Sequence, residues 1–211
     1  MSNIIVACGT LKIPLEKAIE ALHEDERPDI IYLPAIMHLY PDKLSAAING
    51  LLASFKGIYS GIIVVYGKCA YRIDEIVNQH GAIRVPGELC YAMYVGEDIY
   101  REMLKKVPGT YFLTDDVCRN FNKLVVEPLD WKERPRIKEM MLRNYQRVVY
   151  LDVMEDNSLD KKAREIADFL NLPLEIQRIG SKNFETLIRQ TLKEIKQFPK
   201  SNGGKLCLTE K

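Results

Sequence analysis

The sequence predicts an α/β protein with a mainly parallel sheet and helices on both faces, a Rossmann-like doubly wound arrangement. Three observations predict it. Apolar runs too short for helices recur along the chain, and segments of helical periodicity separate them. Several runs are apolar at consecutive positions, as in strands covered on both faces. The connections between them are long enough for right-handed crossovers.

The elements follow in order. Residues 3–7 form a short apolar strand ending at Cys8-Gly9-Thr10, and a helix follows over about 15–23, with Ile19 and Leu22 on one face. Residues 29–33 form the second strand, which Pro34 ends, since proline cannot continue a central ladder. An irregular connection carrying His38 leads to Pro41-Asp42, where a helix starts with Leu44, Ile48, Leu51, Leu52 and Phe55 at helical spacing. The run 62–66 reads as a buried strand ending at Gly67-Lys68-Cys69. A short helix over 73–79, stopped by His80-Gly81, precedes a strand over 82–85, and Pro86-Gly87 leads to Cys90. One helix is expected over 91–106, then a turn at Pro108-Gly109 and a β-branched, aromatic strand over 110–114. Asp115-Asp116 begins a helix running towards Asn122, and the apolar stretch 124–129 is interrupted by Pro128. A helix over 135–145, a buried strand over 147–151, a helix over 159–170, a strand over 174–179 and a helix over 183–198 complete the alternation. Residues 1–198 read as a single domain, whose part from about 132, where the pattern changes, either extends the sheet or forms a small C-terminal lobe, and 199–211 as a flexible tail in which Cys207 has no role.

Bulk properties narrow the function. The net charge of +1 gives no broad electrostatic case for nucleic acid or an acidic membrane as partner. No apolar run approaches the roughly 18 residues of a membrane span. The start of the chain passes from Met1-Ser2-Asn3 straight into Ile4-Ile5-Val6, without the pattern of a secretory signal. Five cysteines, an odd number, argue against a disulfide framework and for a reducing, cytoplasmic setting.

Ligands of an open parallel sheet bind beyond the carboxyl ends of its strands. Cys8 follows the first strand, His38 the second, Cys69 the third and Cys90 the fourth, so all four are expected near one edge. Thiolates with an imidazole are the usual zinc set and also suit other soft transition metals. No Cys-x-x-Cys pair supports the set locally, and the bland alternative is that Cys8, Cys69 and Cys90 are small hydrophobes at strand ends. Cys8 alone offers a nucleophile reading, but no arginine follows at phosphatase-loop spacing. Gly67-Lys68 lacks the glycine and hydroxyl of a phosphate loop, and no Gly-x-Gly-x-x-Gly occurs. Asp115-Asp116 reads either as a carboxylate pair for acid–base or magnesium chemistry or, more ordinarily, as the start of a helix. Tyr66, Tyr71, Tyr91, Tyr94 and Tyr111 fall near the same region, mostly as core, with one or two free to line a pocket.

The motifs Ala7-Cys8-Gly9-Thr10-Leu11, Leu33-Pro34-Ala35-Ile36-Met37-His38, Val65-Tyr66-Gly67-Lys68-Cys69-Ala70 and Arg84-Val85-Pro86-Gly87-Glu88-Leu89-Cys90 resemble the family known as domain of unknown function 1638. So do Pro108-Gly109-Thr110-Tyr111-Phe112-Leu113-Thr114 and Asn144-Tyr145-Gln146-Arg147-Val148-Val149-Tyr150-Leu151, so that the likeness spans nearly the whole chain. The resemblance places Cys and His at Cys8, His38, Cys69 and Cys90 and so implies a metal site there, with zinc as the expected cofactor. One departure stands out: many members carry His before the last cysteine, where this chain has Leu89. Family members are often encoded beside corrinoid-dependent methyltransferases, which implies a corrinoid protein or methyltransferase as partner and an accessory role in methyl transfer. An open position on a three-ligand zinc would activate a thiol or hold a corrinoid-related ligand. The alternatives are a non-enzymatic module binding a tetrapyrrole, a corrinoid or a partner protein, and a metal-free enzyme using Cys8 as nucleophile. Whether the protein is an enzyme is left open.

Overall fold

The structure is a computed structural model and describes residues 2–197. The α/β class holds, but the parallel strands divide between two sheets. The first contains β1 (Asn3–Cys8), β2 (Asp29–Leu33), β3 (Gly61–Val65) and β4 (Ile83–Arg84) in the order β2-β1-β3-β4. The second contains β5 (Thr110–Thr114), β6 (Arg147–Asp152) and β7 (Leu174–Arg178) in that order. Every pairing is parallel. The change of sheet falls between Arg84 and Thr110, where α4 (Cys90–Val95) and α5 (Glu97–Lys106) intervene. These two were expected as one helix. Gly96, at φ 90°, turns the chain between them, a conformation that a side chain would strain.

The central strands are apolar on both faces because both faces are covered. Ile4 to Ala7 in β1 and Ile63 to Val65 in β3 are essentially inaccessible. The outer strands β2 and β7 are only half-buried. In β6 the alternation of the pleat separates two cores. Val149 and Leu151, with Val153 beyond them, join the core of the first sheet, while Val148 and Tyr150 face a second core around Cys118, Phe121 and Trp131. The stretch expected to be a broken apolar segment near 124–129 is a π-helical turn, Asn122–Val126, feeding that second core.

The last helix, α9 (Lys182–Gln197), returns to the first sheet. Its buried face, Phe184, Ile188, Leu192 and Ile195, repeats at helical spacing and packs on α1 (Lys12–Glu20) and β3. Contact is close enough that a Cβ on Gly61 would lie 2.5 Å from the Ile195 side chain. The N-terminal half therefore depends on the end of the chain for one wall of its core. The expected tail, 199–211, with Cys207, lies outside the described residues. Among the described residues no helix is long and apolar enough to cross a membrane.

Candidate functional site at the facing carboxyl edges

The register places the carboxyl ends of the first sheet together. Cys8 pairs with Leu33, Ala7 pairs with Val65, and Val64 pairs with Arg84. The next residues along are Gly9, Pro34, Tyr66 and Val85. At the carboxyl edge of the second sheet stand Asp115, Asp152 and Arg178. The two edges meet: α6 (Asp115–Arg119), directly after β5, packs on the 3-10 turn Gly9–Leu11 that follows β1.

Arg84 builds the floor of this region. Its Nη1 donates to the carbonyls of Tyr66 (3.0 Å), Val85 (3.2 Å) and Gly87 (2.8 Å), and its Nε to Asp74 at 2.5 Å. Lys68 N donates to Glu88 O at 2.6 Å. The loop between β4 and α4 is thereby fastened to the end of β3, which brings Cys90 towards Cys69.

Three of the four expected residues converge. The Cys69 thiol is pushed up to about 11 by burial and by the Cys8 sulfur beside it. Burial, then the neighbouring Cys8 and Cys69, push Cys90 further in the same direction. Thr10 Oγ1 donates to Cys8 Sγ at 3.2 Å. His38 takes another course: it sits in the 3-10 segment Ala35–Leu39 with its Nδ1 2.6 Å from the carbonyl oxygen of Ala35.

The expected zinc centre is corrected here. Among the described residues no group of three or more His, Cys, Asp and Glu side chains is arranged to hold a metal ion. His38 Nδ1 is engaged by the Ala35 carbonyl within its own turn. Desolvation raises the pKa of the half-buried Cys69 and Cys90 thiols and favours their protonated form. The thiol-activating role in corrinoid-linked methyl transfer falls with the metal. The nucleophile reading gains no support either: Cys8 is only 9% exposed and its sulfur is occupied by Thr10.

Raised thiol pKa values have a direct chemical consequence. From an ordinary value of 9.0 to about 11 is two pH units, so Cys69 is expected to react with iodoacetamide at neutral pH about 100-fold more slowly than a free thiol. Its folded-state value lies above its unfolded one, so the stability it contributes is present at neutral pH and is lost as the pH rises from about 9 towards 11. Labelling followed by mass spectrometry across that range checks the rate. Fast labelling of Cys69 at neutral pH would show a thiolate that the surroundings do not explain.

The opposite wall is acidic but already engaged. Asp115, 4% exposed, accepts from Tyr150 Oη (2.6 Å), Val153 N (3.0 Å) and Met154 N (3.1 Å). Asp116 accepts from Asn120 Nδ2 at 3.0 Å. Asp115 therefore holds β6 and the loop after it, while Asp116 bonds to the end of its own helix. Burial raises the pKa of both carboxyls. Tyr94 stands between the walls, within electrostatic reach of Cys90 and Cys8 on one side and of Asp115 and Asp116 on the other.

One of the tyrosines expected near this region lies among the thiols. Tyr66, the first residue beyond β3, is 2% exposed, and its hydroxyl has no hydrogen-bond partner among the described residues. Burial first, then the Cys8 sulfur within hydrogen-bonding reach and Cys69 beyond it, oppose its ionisation. The Cys8 sulfur, a weak acceptor, already receives the Thr10 proton.

Fold and site together define an α/β protein of two parallel sheets with apposed carboxyl edges. The family model described as Protein of unknown function (DUF1638) matches residues 32–188, and the protein belongs to that family. No curated protein matches the chain. Among solved structures it is similar to the catalytic subunit of M. jannaschii aspartate transcarbamoylase, at 10% identity and a TM-score of 0.26 over 84% of this chain. The chain spans 56% of the length of that subunit.

Proposed function

We propose that the protein binds a small, uncharged molecule bearing a hydrogen-bond acceptor, such as a carbonyl oxygen, between the carboxyl edges of its two sheets. Tyr66 would donate to that acceptor, with Cys69 and Cys90 lining the site and Cys8 behind them. The observation that carries this reading is the buried Tyr66 hydroxyl, which has no nitrogen or oxygen partner among the described residues and only the weakly accepting Cys8 sulfur within reach. Leaving such a group unbonded costs about 1–3 kcal/mol, which a bound acceptor would recover. Charge sets the ligand class. Burial keeps Cys69 and Cys90 neutral, Asp115 and Asp116 on the facing wall disfavour an anion, and Asp115 is already spent on three donors.

Tyr66→Phe tests this with a definite sign. Removing an unsatisfied hydroxyl is expected to stabilise the ligand-free protein by about 1 kcal/mol, a rise in Tm of roughly 2–4 °C for a chain of this size. In thermal-shift titrations with small amides, ketones and lactones, any compound that raises the Tm of the unaltered protein is expected to leave Tyr66→Phe unmoved. A variant less stable than the parent would mean that the hydroxyl is already satisfied, and the proposal would fail.

A further inference from the structure

A cavity lies beside this region, and nothing in the carboxyl-edge reading uses it. It has a volume of about 580 Å³ and opens between the start of β5 and the segment around α4 and α5. Two motifs of the family resemblance, Pro108-Gly109-Thr110-Tyr111-Phe112 and Asn144-Tyr145, meet in its wall, although 31 or more residues separate them. The volume falls within the roughly 300–1,000 Å³ of ordinary small-molecule sites.

Its lining is aromatic and uncharged. Tyr91, Tyr100, Tyr111, Phe112 and Tyr145 contribute rings, and no Asp, Glu, Lys, Arg or His is among the lining residues. The rings hold one another in place. Tyr91 and Phe112 have centroids 5.1 Å apart, Tyr100 and Phe112 5.4 Å, and Tyr111 and Tyr145 5.4 Å with planes at 62°. Thr110 Oγ1, the hydroxyl nearest the start of β5, donates to Val107 O and accepts from Arg147 Nε, so it is spent on the scaffold. Burial raises the pKa of Tyr91, Tyr100 and Tyr111, so their hydroxyls remain neutral. Met141 and Tyr145, 45% and 38% exposed, leave apolar surface at the mouth.

We propose that this cavity is a binding site for an uncharged aromatic ring system. A flat ring gains edge-to-face and offset contacts with these tilted rings, and the phenolic hydroxyls and the Asn144 amide can meet a single polar substituent. A charged ligand would lose its hydration without a counter-charge in return. The proposal stands independently of the Tyr66 site.

Naphthol, indole and naphthoate are the probes, titrated into the full chain by calorimetry. Naphthol is expected to bind, and naphthoate, the same ring bearing a carboxylate, to bind at least about tenfold more weakly. Tyr145→Ala, which removes a half-exposed ring, is expected to weaken naphthol binding by about tenfold. Met141→Trp, at an exposed position on the rim, is expected to weaken it by narrowing the mouth, while the circular dichroism spectrum stays that of the parent. Equal affinity for naphthol and naphthoate, or binding unaffected by both variants, would overturn the proposal. So would binding of tetramethylammonium without any neutral ring, since that would identify the rings as a cation cage.

Discussion

Asp115→Ala is expected to cost about 3 kcal/mol of folding stability, roughly 10 °C in Tm for a chain of this size. The carboxylate satisfies three donors at once: the hydroxyl of Tyr150, which is inaccessible to solvent, and the backbone amides of Val153 and Met154. Alanine leaves all three unsatisfied where water cannot reach the tyrosine. Tyr150→Phe removes one partner only and should cost about 1 kcal/mol, so a double-mutant cycle is expected to show strong coupling. The pH dependence separates the charge from the hydrogen bonds. Burial raises the Asp115 pKa, with Asp152 adding to the effect, against the lowering by its three donors. Its folded value thus lies above its unfolded one, and the stability it contributes is largest in acid and falls as the pH rises through the folded value. The advantage of the parent over Asp115→Asn is therefore expected to narrow from acid to neutral pH. Urea denaturation of the variants at several pH values measures this, and a cost below about 1 kcal/mol for Asp115→Ala would show that water replaces the carboxylate.

Gly67→Ala is expected to be nearly as damaging, for a steric reason. A Cβ on Gly67 would lie 2.7 Å from Leu89 Cα and 2.8 Å from the Glu88 carbonyl oxygen, both backbone atoms that no rotamer change can move. The methyl must push the loop between β4 and α4 away from β3, straining the hydrogen bond from Lys68 N to Glu88 O and the carbonyl contacts of Arg84. Overpacking of this kind costs about 2–3 kcal/mol. The same displacement carries Cys90 away from Cys69 and towards solvent. Cys90 labelling by iodoacetamide should accelerate in Gly67→Ala, while the remote Cys118, 0% exposed, should stay protected. Unchanged Cys90 labelling would mean that the loop absorbs the methyl elsewhere, and that Gly67 does not set the position of the third thiol.

Much of the fold was legible residue by residue. Consecutive apolar positions in β1 and β3 announced strands covered on both faces, and Pro34 and the glycines near 81 and 87 marked where elements stop. The division into two sheets was not legible. Any sequential run of strands and helices is compatible with one continuous sheet, and only the docking of β5 against β6 instead of β4 decides otherwise. The helix break at Gly96 was missed for a related reason: an isolated glycine is tolerated within a helix, and its positive φ is set by where α5 must pack.

At the site, the parallel sense of the strands put Cys8, Cys69 and Cys90 at one edge, and the order β2-β1-β3-β4 with the loop after β4 made them neighbours. The sequence could not decide that His38 would turn to the Ala35 carbonyl, since a side chain's direction in an irregular segment depends on local hydrogen bonding. Nor could it decide that desolvation would favour the protonated form of Cys69 and Cys90, or that no metal-holding group would form among the described residues. The sequence alone determined the class of fold and which residues share an edge, through periodicity and the parallel sense of the strands. The tertiary structure decided their chemistry: the buried Tyr66 hydroxyl, the saturated Asp115 and the ring-lined cavity all depend on the approach of groups far apart along the chain, and hydrogen bonding and desolvation are set by that approach.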